Sequence, residues 1–534
     1  MVDEQAVVRR RSPIPGIRPK AGRVAVAVDA SRCTGQGVCV ALAAAGFALD
    51  RFGYAYVLPG TSERSATDRT LRGALRDAEA RCPERAIRVT DVVDPPPPAP
   101  VARPAVPAAA TPATATPATV APATAGSGPA GLGSAGFVPR LLLPDGGAES
   151  LEWWVAQGGF SAPGPVPLAD EVARTGLIGH GGGGFPVAAK WRAARGLQPP
   201  VVVANGAERE PGSLKDRHLM ARRPLLVLDG LRATAAAVGA RRAFVGVDEE
   251  ATAALDAMAA AVRQASEAGL LGDLEVAVRP VPARYVAGEE TALISVLDGG
   301  EAKPTAKPPY PSQSGLAGRP TVVHNIETLA QVGLIAAFGA DWFCRAGAAD
   351  APGTGLFSVG RFGGTMAVVE RPSGTTVRQL VDDAGWPDAR AALVGGWSGT
   401  LLPADRFDLP LTGPAVAAAG GVLGTKSVQV LVDGDCPVAT VATVLGYLAG
   451  ETAGQCPPCT RGVPYLAGLV SSLARGTLRA GDLADGRAFA ASLVDRGACR
   501  LPDGAVRLLG SLFRHFPADV DRHLAGAACP TMFS

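Results

Sequence analysis

From Pro95 to about residue 135 the chain loses the means to build a core, because the stretch holds eleven prolines, many alanines and threonines, and one charged residue, Arg103. Proline removes a backbone donor and fixes φ, while small side chains bury little, so such a segment is expected to be an extended, semi-rigid tether. At ~3 Å per residue, its roughly 40 residues span on the order of 100 Å when stretched. The chain must therefore fold in separate parts on either side of a linker, set here at residues 94–137.

The 534 residues, 47% of them hydrophobic, supply several cores. A formal net charge of +2 provides no global field for nucleic acid. Residues 1–93 carry 15 Lys and Arg against 10 Asp and Glu, which suits an acidic partner and equally an ordinary solvated surface. Arg9, Arg10 and Arg11 precede no apolar signal region, and no apolar run reaches eighteen residues. The expectation is a cytoplasmic chain with no membrane segment of its own; docking at the edge of a membrane complex stays open. Nine cysteines, an odd number grouped toward the two ends, favour metal clusters over a disulfide framework.

In the first part, residues 23–29 alternate as a strand, Cys33-Thr34-Gly35-Gln36-Gly37-Val38-Cys39 follows, and residues 66–80 show helical spacing up to Cys82-Pro83. Two thiolates from a loop and a third from elsewhere are what an iron-sulfur cluster requires. Three unrelated buried thiols are the plain alternative. Gln36 stands where the bacterial ferredoxin run has its middle cysteine. The pattern resembles the single-cluster actinobacterial-type ferredoxins, which implies an α+β ferredoxin-like domain at 1–93 with a [3Fe-4S] cluster on Cys33, Cys39 and Cys82.

Four later blocks carry most of the information: Gly179-His180-Gly181-Gly182-Gly183-Gly184-Phe185-Pro186 with Lys190, Asn205-Gly206-Ala207-Glu208-Arg209-Glu210, Tyr285-Val286-Ala287-Gly288-Glu289-Glu290, and Lys307-Pro308-Pro309-Tyr310. Glycines before a helix start let backbone N–H groups approach a phosphate, although a glycine run alone is more often a mobile loop. The apolar run 201–204 reads as a buried parallel strand delivering Asn205 and the two glutamates at its C-terminal end. Residues 321–325 read as another strand, leading into a helix that carries Thr328.

In order and spacing these blocks resemble the NADH-binding, FMN-carrying 51 kDa subunit of respiratory complex I and of soluble NAD-linked hydrogenases and formate dehydrogenases. The resemblance implies an α/β FMN-binding domain at 138–350 in which Gly179, Gly181, Gly182, Lys190, Asn205, Glu208, Tyr285, Gly288, Glu289, Val323, Asn325 and Thr328 hold FMN. It implies Phe185, Glu210, Glu290, Lys307 and Tyr310 around NAD(H), with Glu290 and Glu210 as the catalytic pair and Lys190 as partner of the FMN phosphate. The departures are His180 for the family's arginine, Ala207 for its aspartate, His324 for its asparagine and Ala193 for its aromatic. They point to FMN retention over tight NADH binding, with His180 and His324 either donating to the cofactor or facing solvent. Asn205-Gly206-Ala207-Glu208 is closer to the related subunit of ion-pumping ferredoxin:NAD oxidoreductases.

Residues 351–426 read as short strands about one helix and resemble the family's ubiquitin-like β-grasp (SLBB-type) module. A helix over 437–448 then leads to Gln455-Cys456-Pro457-Pro458-Cys459-Thr460-Arg461, with Cys499 farther on. The family implies a helical iron-sulfur domain at 427–534 with four cysteines, of which the first is Ala453 here. Three thiolates leave a labile [4Fe-4S], a [3Fe-4S] cluster, or recruitment of Cys436 or Cys529. A redox dithiol or half a zinc site remains the alternative for the Cys-x-x-Cys pair. Cys344 reads as a buried core thiol.

The resemblance implies an oxidoreductase passing electrons from NAD(P)H through FMN and iron-sulfur clusters to a ferredoxin-type or quinone-linked acceptor, with other redox subunits as partners. The reverse direction stays open. The rival is a non-enzymatic electron adaptor or assembly subunit with a degenerate nucleotide site.

Overall fold

The computed structural model describes residues 23–29, 33, 37–49, 55–82, 85–92 and 138–529, apart from 145, 163 and 197. The linker and Gln36 lie outside the described residues. The chain divides into two compact units, residues 1–126 and 127–534.

In the first unit β1 (Val24–Val28) pairs antiparallel with β4 (Ile87–Asp91), and β2 (Phe47–Leu49) with β3 (Ala55–Val57). Helices α1 (Val38–Leu42), α2 (Thr61–Thr67) and α3 (Arg69–Arg81) lie between them. The helix expected over 66–80 is broken at Asp68, whose carboxylate accepts from the Leu71 N–H at 2.9 Å and caps α3. Leu71, Leu75 and Ala78 form the buried stripe of α3 against Val24, Phe47 and Val89.

The second unit begins with α4 (Leu151–Ala156), α5 (Leu168–Thr175) and α6 (Val187–Ala194) and then builds a parallel sheet. Its strands β5 (Val201–Gly206), β6 (Arg242–Asp248), β7 (Glu275–Val281) and β8 (Thr321–Asn325) lie in the order β7-β6-β5-β8. Residues 201–204 are buried on both faces, as a central parallel strand requires. The crossovers are α7 (Lys215–Arg222) and α8 (Pro224–Val238), α9 (Thr252–Glu267), and a 3₁₀ turn (Tyr285–Gly288) with α10 (Glu290–Leu297). Helix α11 (Ile326–Phe343) follows β8 and is interrupted at Gly339.

A short ribbon, β9 (Gly347–Ala348) with β10 (Ala351–Pro352), leads into a second sheet of β11 (Thr354–Arg361), β12 (Met366–Pro372), β13 (Ala391–Val394), β14 (Thr400–Pro403) and β15 (Ser427–Leu431). Their order is β12-β11-β15-β13-β14, with β11 parallel to β15 and every other pair antiparallel; α12 (Val377–Asp383) and α13 (Gly413–Ala418) complete the layer. The boundary expected after residue 426 falls inside this sheet, because β15, buried along its length, is the strand that joins its halves. Helices α14 (Pro437–Gly450), α15 (Val463–Ala474), α16 (Ala480–Leu493), α17 (Leu501–His515) and α18 (Pro517–Leu524) close the chain around their own core. Cys344, expected in a core, is exposed: Phe343 before it is buried and it caps the end of α11. Among the described residues no helix is long and apolar enough to cross a membrane.

Candidate functional site

The glycine loop is closed at its base by the Gly179 N–H donating to Phe185 O (2.9 Å) and the Val187 N–H donating to Leu177 O (3.0 Å). Residues 181–186 are exposed, and Phe185 stands more than half exposed at the rim. A Cβ at Gly181 would lie 3.0 Å from the Asn325 Cβ, so glycine lets the loop rest on the end of β8. Pro186 then starts α6, which carries Lys190 toward the same strand end. The Lys190 ammonium donates to Val323 O and to Glu290 Oε2, both at 3.0 Å. Two of its three hydrogens are thus committed and one is left for a ligand.

Glu290 sits between two lysines, since its Oε1 accepts from Lys307 Nζ at 2.8 Å. Burial alone would raise its pKa, but Lys190 and Lys307 hold it below the ordinary carboxylate range. Glu289 caps α10, accepting from the Thr291 and Ala292 N–H groups at 2.8 and 3.0 Å, and its other oxygen pairs with Lys307 at 3.0 Å. Asn205 donates to Gly288 O at 2.8 Å, tying the end of β5 to this turn. Tyr310 is about half exposed. Paired charges and an open glycine loop rimmed by Phe185 meet at the C-terminal ends of β5 and β8, the edge where parallel sheets bind ligands.

The two glutamates after β5 differ in environment. Buried Glu208 accepts from Ser213 Oγ (2.6 Å) and from the Asp216 and Arg217 N–H groups (3.0 and 2.9 Å), so it caps α7; burial, then the Asp216 charge, pushes its pKa up. Glu210 accepts from Thr425 Oγ1 at 2.6 Å and from Tyr285 OH at a longer 3.3 Å. Burial raises it to about 7. Tyr285 OH is also 3.0 Å from Ser398 Oγ. Gly396, at φ 85°, lets the β13–β14 loop close over Glu210: a Cβ there would fall 1.8 Å from Glu210 Oε1.

Under the loop lies a buried charge network. Glu327, at 0% exposure, accepts from the Leu356 N–H (3.0 Å) and from Lys426 Nζ (2.6 Å), while His180 Nδ1 lies 2.9 Å away. Burial opposes its charge, yet Lys426, His180 and Lys215 together hold it well below the usual range. Lys215 also binds Asp216 (2.8 Å) and Asn325 Oδ1 (3.2 Å), and Asn325 donates to Asp216 at 2.6 Å. Neither histidine faces solvent. Burial, then Lys426, lowers His180, whose Nδ1 lies between Glu327 and Lys426 Nζ, 2.5 Å from the latter; its backbone N–H donates to Thr328 Oγ1 at 2.9 Å. His324 is lowered by burial to about 3, and its Nε2 accepts from Trp191 Nε1 at 2.8 Å, which places the ring proton on Nδ1.

In the helical part Cys456, Cys459 and Cys499 are buried and their thiols bond in series, Cys456 to Cys459 and Cys459 to Cys499. Cys459 lies on a π-helical turn, Pro458–Gly462, at the start of α15, and Cys456 stands two residues before that turn. Ala453 packs with Val286, Ala287 and Leu293, while its N–H donates to the Cys459 sulfur. Cys499 is lowered by its bond with Cys459, and Glu289 is close enough for its charge to act against the thiolate. The flavin-type blocks and this cysteine group are therefore neighbours. Cys436 and Cys529 are not: they gather at His523, beside the start of α14 and the end of α15, whereas Cys456 and Cys459 follow α14 and open α15. In the first unit Cys33 and Cys39 are buried and Cys82 half-buried; burial raises the Cys39 thiol and its two neighbours raise it further, so the three converge.

Sequence alone does not single out Thr425, Ser398, Lys426, Lys215 or Glu327. A second glycine run, Gly395-Gly396-Trp397-Ser398-Gly399, is the available signal for the loop over Glu210. Lys426 and Glu327 carry no local signature.

Residues 172–334 match a family model described as the Nuo51 FMN-binding domain, and residues 439–523 match the NADH-ubiquinone oxidoreductase-F iron-sulfur binding region. Residues 26–89 match a 4Fe-4S single cluster domain. The F subunit of the Mycobacterium tuberculosis NADH-quinone oxidoreductase is 34% identical over 384 residues, 68% of this chain and 86% of that protein. The NADP-reducing hydrogenase subunit HndC of Solidesulfovibrio fructosivorans is 30% identical over 403 residues, 72% of this chain and 82% of that protein. A crystal structure of an NAD+-reducing [NiFe]-hydrogenase in the H2-reduced state superposes with a TM-score of 0.65 at 30% identity, covering 72% of this chain and 68% of that one. The chain thus belongs to the family of NADH-quinone oxidoreductase F subunits, with a single-cluster ferredoxin-type domain at its amino end.

Proposed function

We propose that this chain is an NAD(P)H-linked flavin and iron-sulfur oxidoreductase whose FMN lies over residues 179–184, and which hands electrons to other redox subunits or an acceptor protein. The observation that carries this reading is the meeting of Lys190, Glu290 and Lys307 beside the exposed glycine loop, with Glu289 near enough to feel Cys499. FMN, when bound, supplies hydride acceptance and one-electron release.

The chain's own residues supply position and charge. The remaining hydrogen of Lys190 serves the FMN phosphate, and the open glycines leave room for the ring. Phe185 and Tyr310 offer faces for stacking the nucleotide. Glu290, kept ionised between two lysines, orients the nicotinamide side, while Glu210 is poised to hold or release a proton near neutrality. Glu208, Asn325 and Thr328 act one layer beneath, fixing the loop and the two strand ends. The non-enzymatic reading is not favoured, because the ring of His180 is held against Lys426 and Glu327, the ring of His324 accepts from Trp191, and Ala207 leaves Asn205 and Glu208 engaged.

For the clusters we assign [3Fe-4S] to Cys33, Cys39 and Cys82, and a [3Fe-4S] or labile [4Fe-4S] centre to Cys456, Cys459 and Cys499. The β12-β11-β15-β13-β14 sheet supports the ubiquitin-like β-grasp assignment, with its end moved to residue 431. Acid extraction of the purified chain tests the flavin claim: it should release FMN. Lys190→Ala should weaken retention by about tenfold or more, the loss of one charge-assisted hydrogen bond. A flavin-free protein that takes up no added FMN contradicts the reading.

A further inference from the structure

We propose that Cys436, His523 and Cys529 form a zinc site, separate from the iron-sulfur clusters, that fastens the carboxyl-terminal segment to the helical domain. Their ligand atoms all lie within 4.8 Å of one another, and among the described residues they are the one group of three or more such side chains that does so. Both sulfurs point at the same atom, with Cys436 Sγ 3.3 Å and Cys529 Sγ 3.2 Å from His523 Nε2.

The tautomer of His523 follows from its other contact. Its Nδ1 lies 2.7 Å from Ala527 O, and a carbonyl only accepts, so the ring proton sits on Nδ1. Nε2 then offers a single lone pair toward two thiols. The two thiols also lie within hydrogen-bond reach of each other, so all three donor atoms face one point, where a cation would take a lone pair from each. A metal-bound histidine whose second nitrogen donates to a backbone carbonyl is the usual arrangement around zinc. Tetrahedral bonds of about 2.3 Å to sulfur and about 2.0 Å to nitrogen set the donors about 3.5 Å apart. The two present nitrogen-to-sulfur spacings therefore need to open by only a few tenths of an ångström.

Cys436 is the N-cap of α14, and the Ala439 N–H in that helix's first turn donates to the Cys529 sulfur. The Cys529 N–H is fixed to Ala474 O at 3.0 Å, at the end of α15, and His523 is 2% exposed on α18. Three segments that are distant in sequence thus converge. Zn²⁺ would displace the two thiol protons to solvent, giving a neutral centre with water as the fourth ligand and no change of oxidation state. The soft donor set of two sulfurs and one imidazole selects zinc over calcium or magnesium. Helix α14 has 14 residues, so at ~1.5 Å per residue its length of about 20 Å separates this site from the Cys456 loop.

The test uses the full chain, purified anaerobically with its clusters loaded, measuring zinc and iron by mass spectrometry and zinc coordination by X-ray absorption. About one zinc per chain is expected, with two sulfur neighbours at about 2.3 Å and nitrogen or oxygen at about 2.0 Å. Cys529→Ser and His523→Ala should each lower zinc by more than about tenfold while leaving iron and FMN unchanged. Should a variant fold poorly, cobalt added to the chelator-treated wild-type chain keeps the test decisive: a thiolate-to-cobalt charge-transfer band that does not compete with iron reconstitution supports the site. Absence of zinc together with a Cys436–Cys529 disulfide, or zinc bound by sulfur alone, overturns it.

Discussion

At the scale of single residues, burial and pairing sort the site's carboxylates into different tasks. Glu290 and Glu327 are held ionised by neighbouring ammonium groups, whereas Glu210 has only neutral donors and is raised to about 7. A carboxyl whose folded pKa lies above its unfolded value of about 4.5 favours folding most at low pH, and that contribution is lost as pH rises through about 7. The full span is on the order of 3 kcal/mol. Thermal denaturation should therefore show the wild-type melting temperature falling between pH 5 and pH 8 by more than that of Glu210→Gln. Flavin reduction by NADH should show an inflection near pH 7 that the same variant removes; identical profiles would take the proton role from Glu210. Glu290→Ala is a different case. It should slow flavin reduction by about tenfold to a hundredfold while FMN content changes little, because the residue serves the nucleotide side. Equal loss of both in rapid-mixing experiments would make Glu290 a flavin anchor instead.

At the scale of elements, the Cys456–Cys459 turn shows what one substitution does to a ligand set. Ala453 sits at the expected first-cysteine position and already donates its N–H to the Cys459 sulfur, so its backbone is at the cluster site while its side chain is not a ligand. Ala453→Cys should supply the fourth thiolate and raise iron in the carboxyl-terminal centre toward four per chain, with slower iron loss in air. Unchanged stoichiometry and lability by iron assay and paramagnetic resonance would mean that a group other than cysteine already completes the centre. Much of this architecture is legible in the sequence: the apolar run at 201–204 marks the central strand, and the cysteine spacing marks both sulfur groups. Long-range partners are not. Thr425 reaches Glu210 across 215 positions, and no local pattern announces such a contact. The break at Asp68 is hidden because hydrophobic spacing runs through it while a cap decides the helix start. Strand β15 falls on the wrong side of the expected boundary because its apolar run suits either neighbour until pairing selects one.

At the scale of the whole molecule, two units joined by a proline-rich stretch carry three kinds of redox equipment: a flavin-type site, a buried thiol group beside it, and a third group of thiols in the amino-terminal unit. The order we propose is nicotinamide, flavin, adjacent cluster, and then an outward carrier, a role proposed here for the amino-terminal cluster. Separate cores mean that each unit keeps its cofactor when the other is damaged, so loss of the Cys33 group should leave the first step of electron entry intact. The central claim is that nicotinamide reduces flavin on this chain. Anaerobic rapid mixing of the FMN-loaded full chain with NADH, and separately with NADPH, followed at the flavin and cluster absorbance bands, tests it most directly. The account predicts fast bleaching of the flavin with at least one nucleotide, followed by cluster reduction; a flavin that stays oxidised with both nucleotides contradicts it.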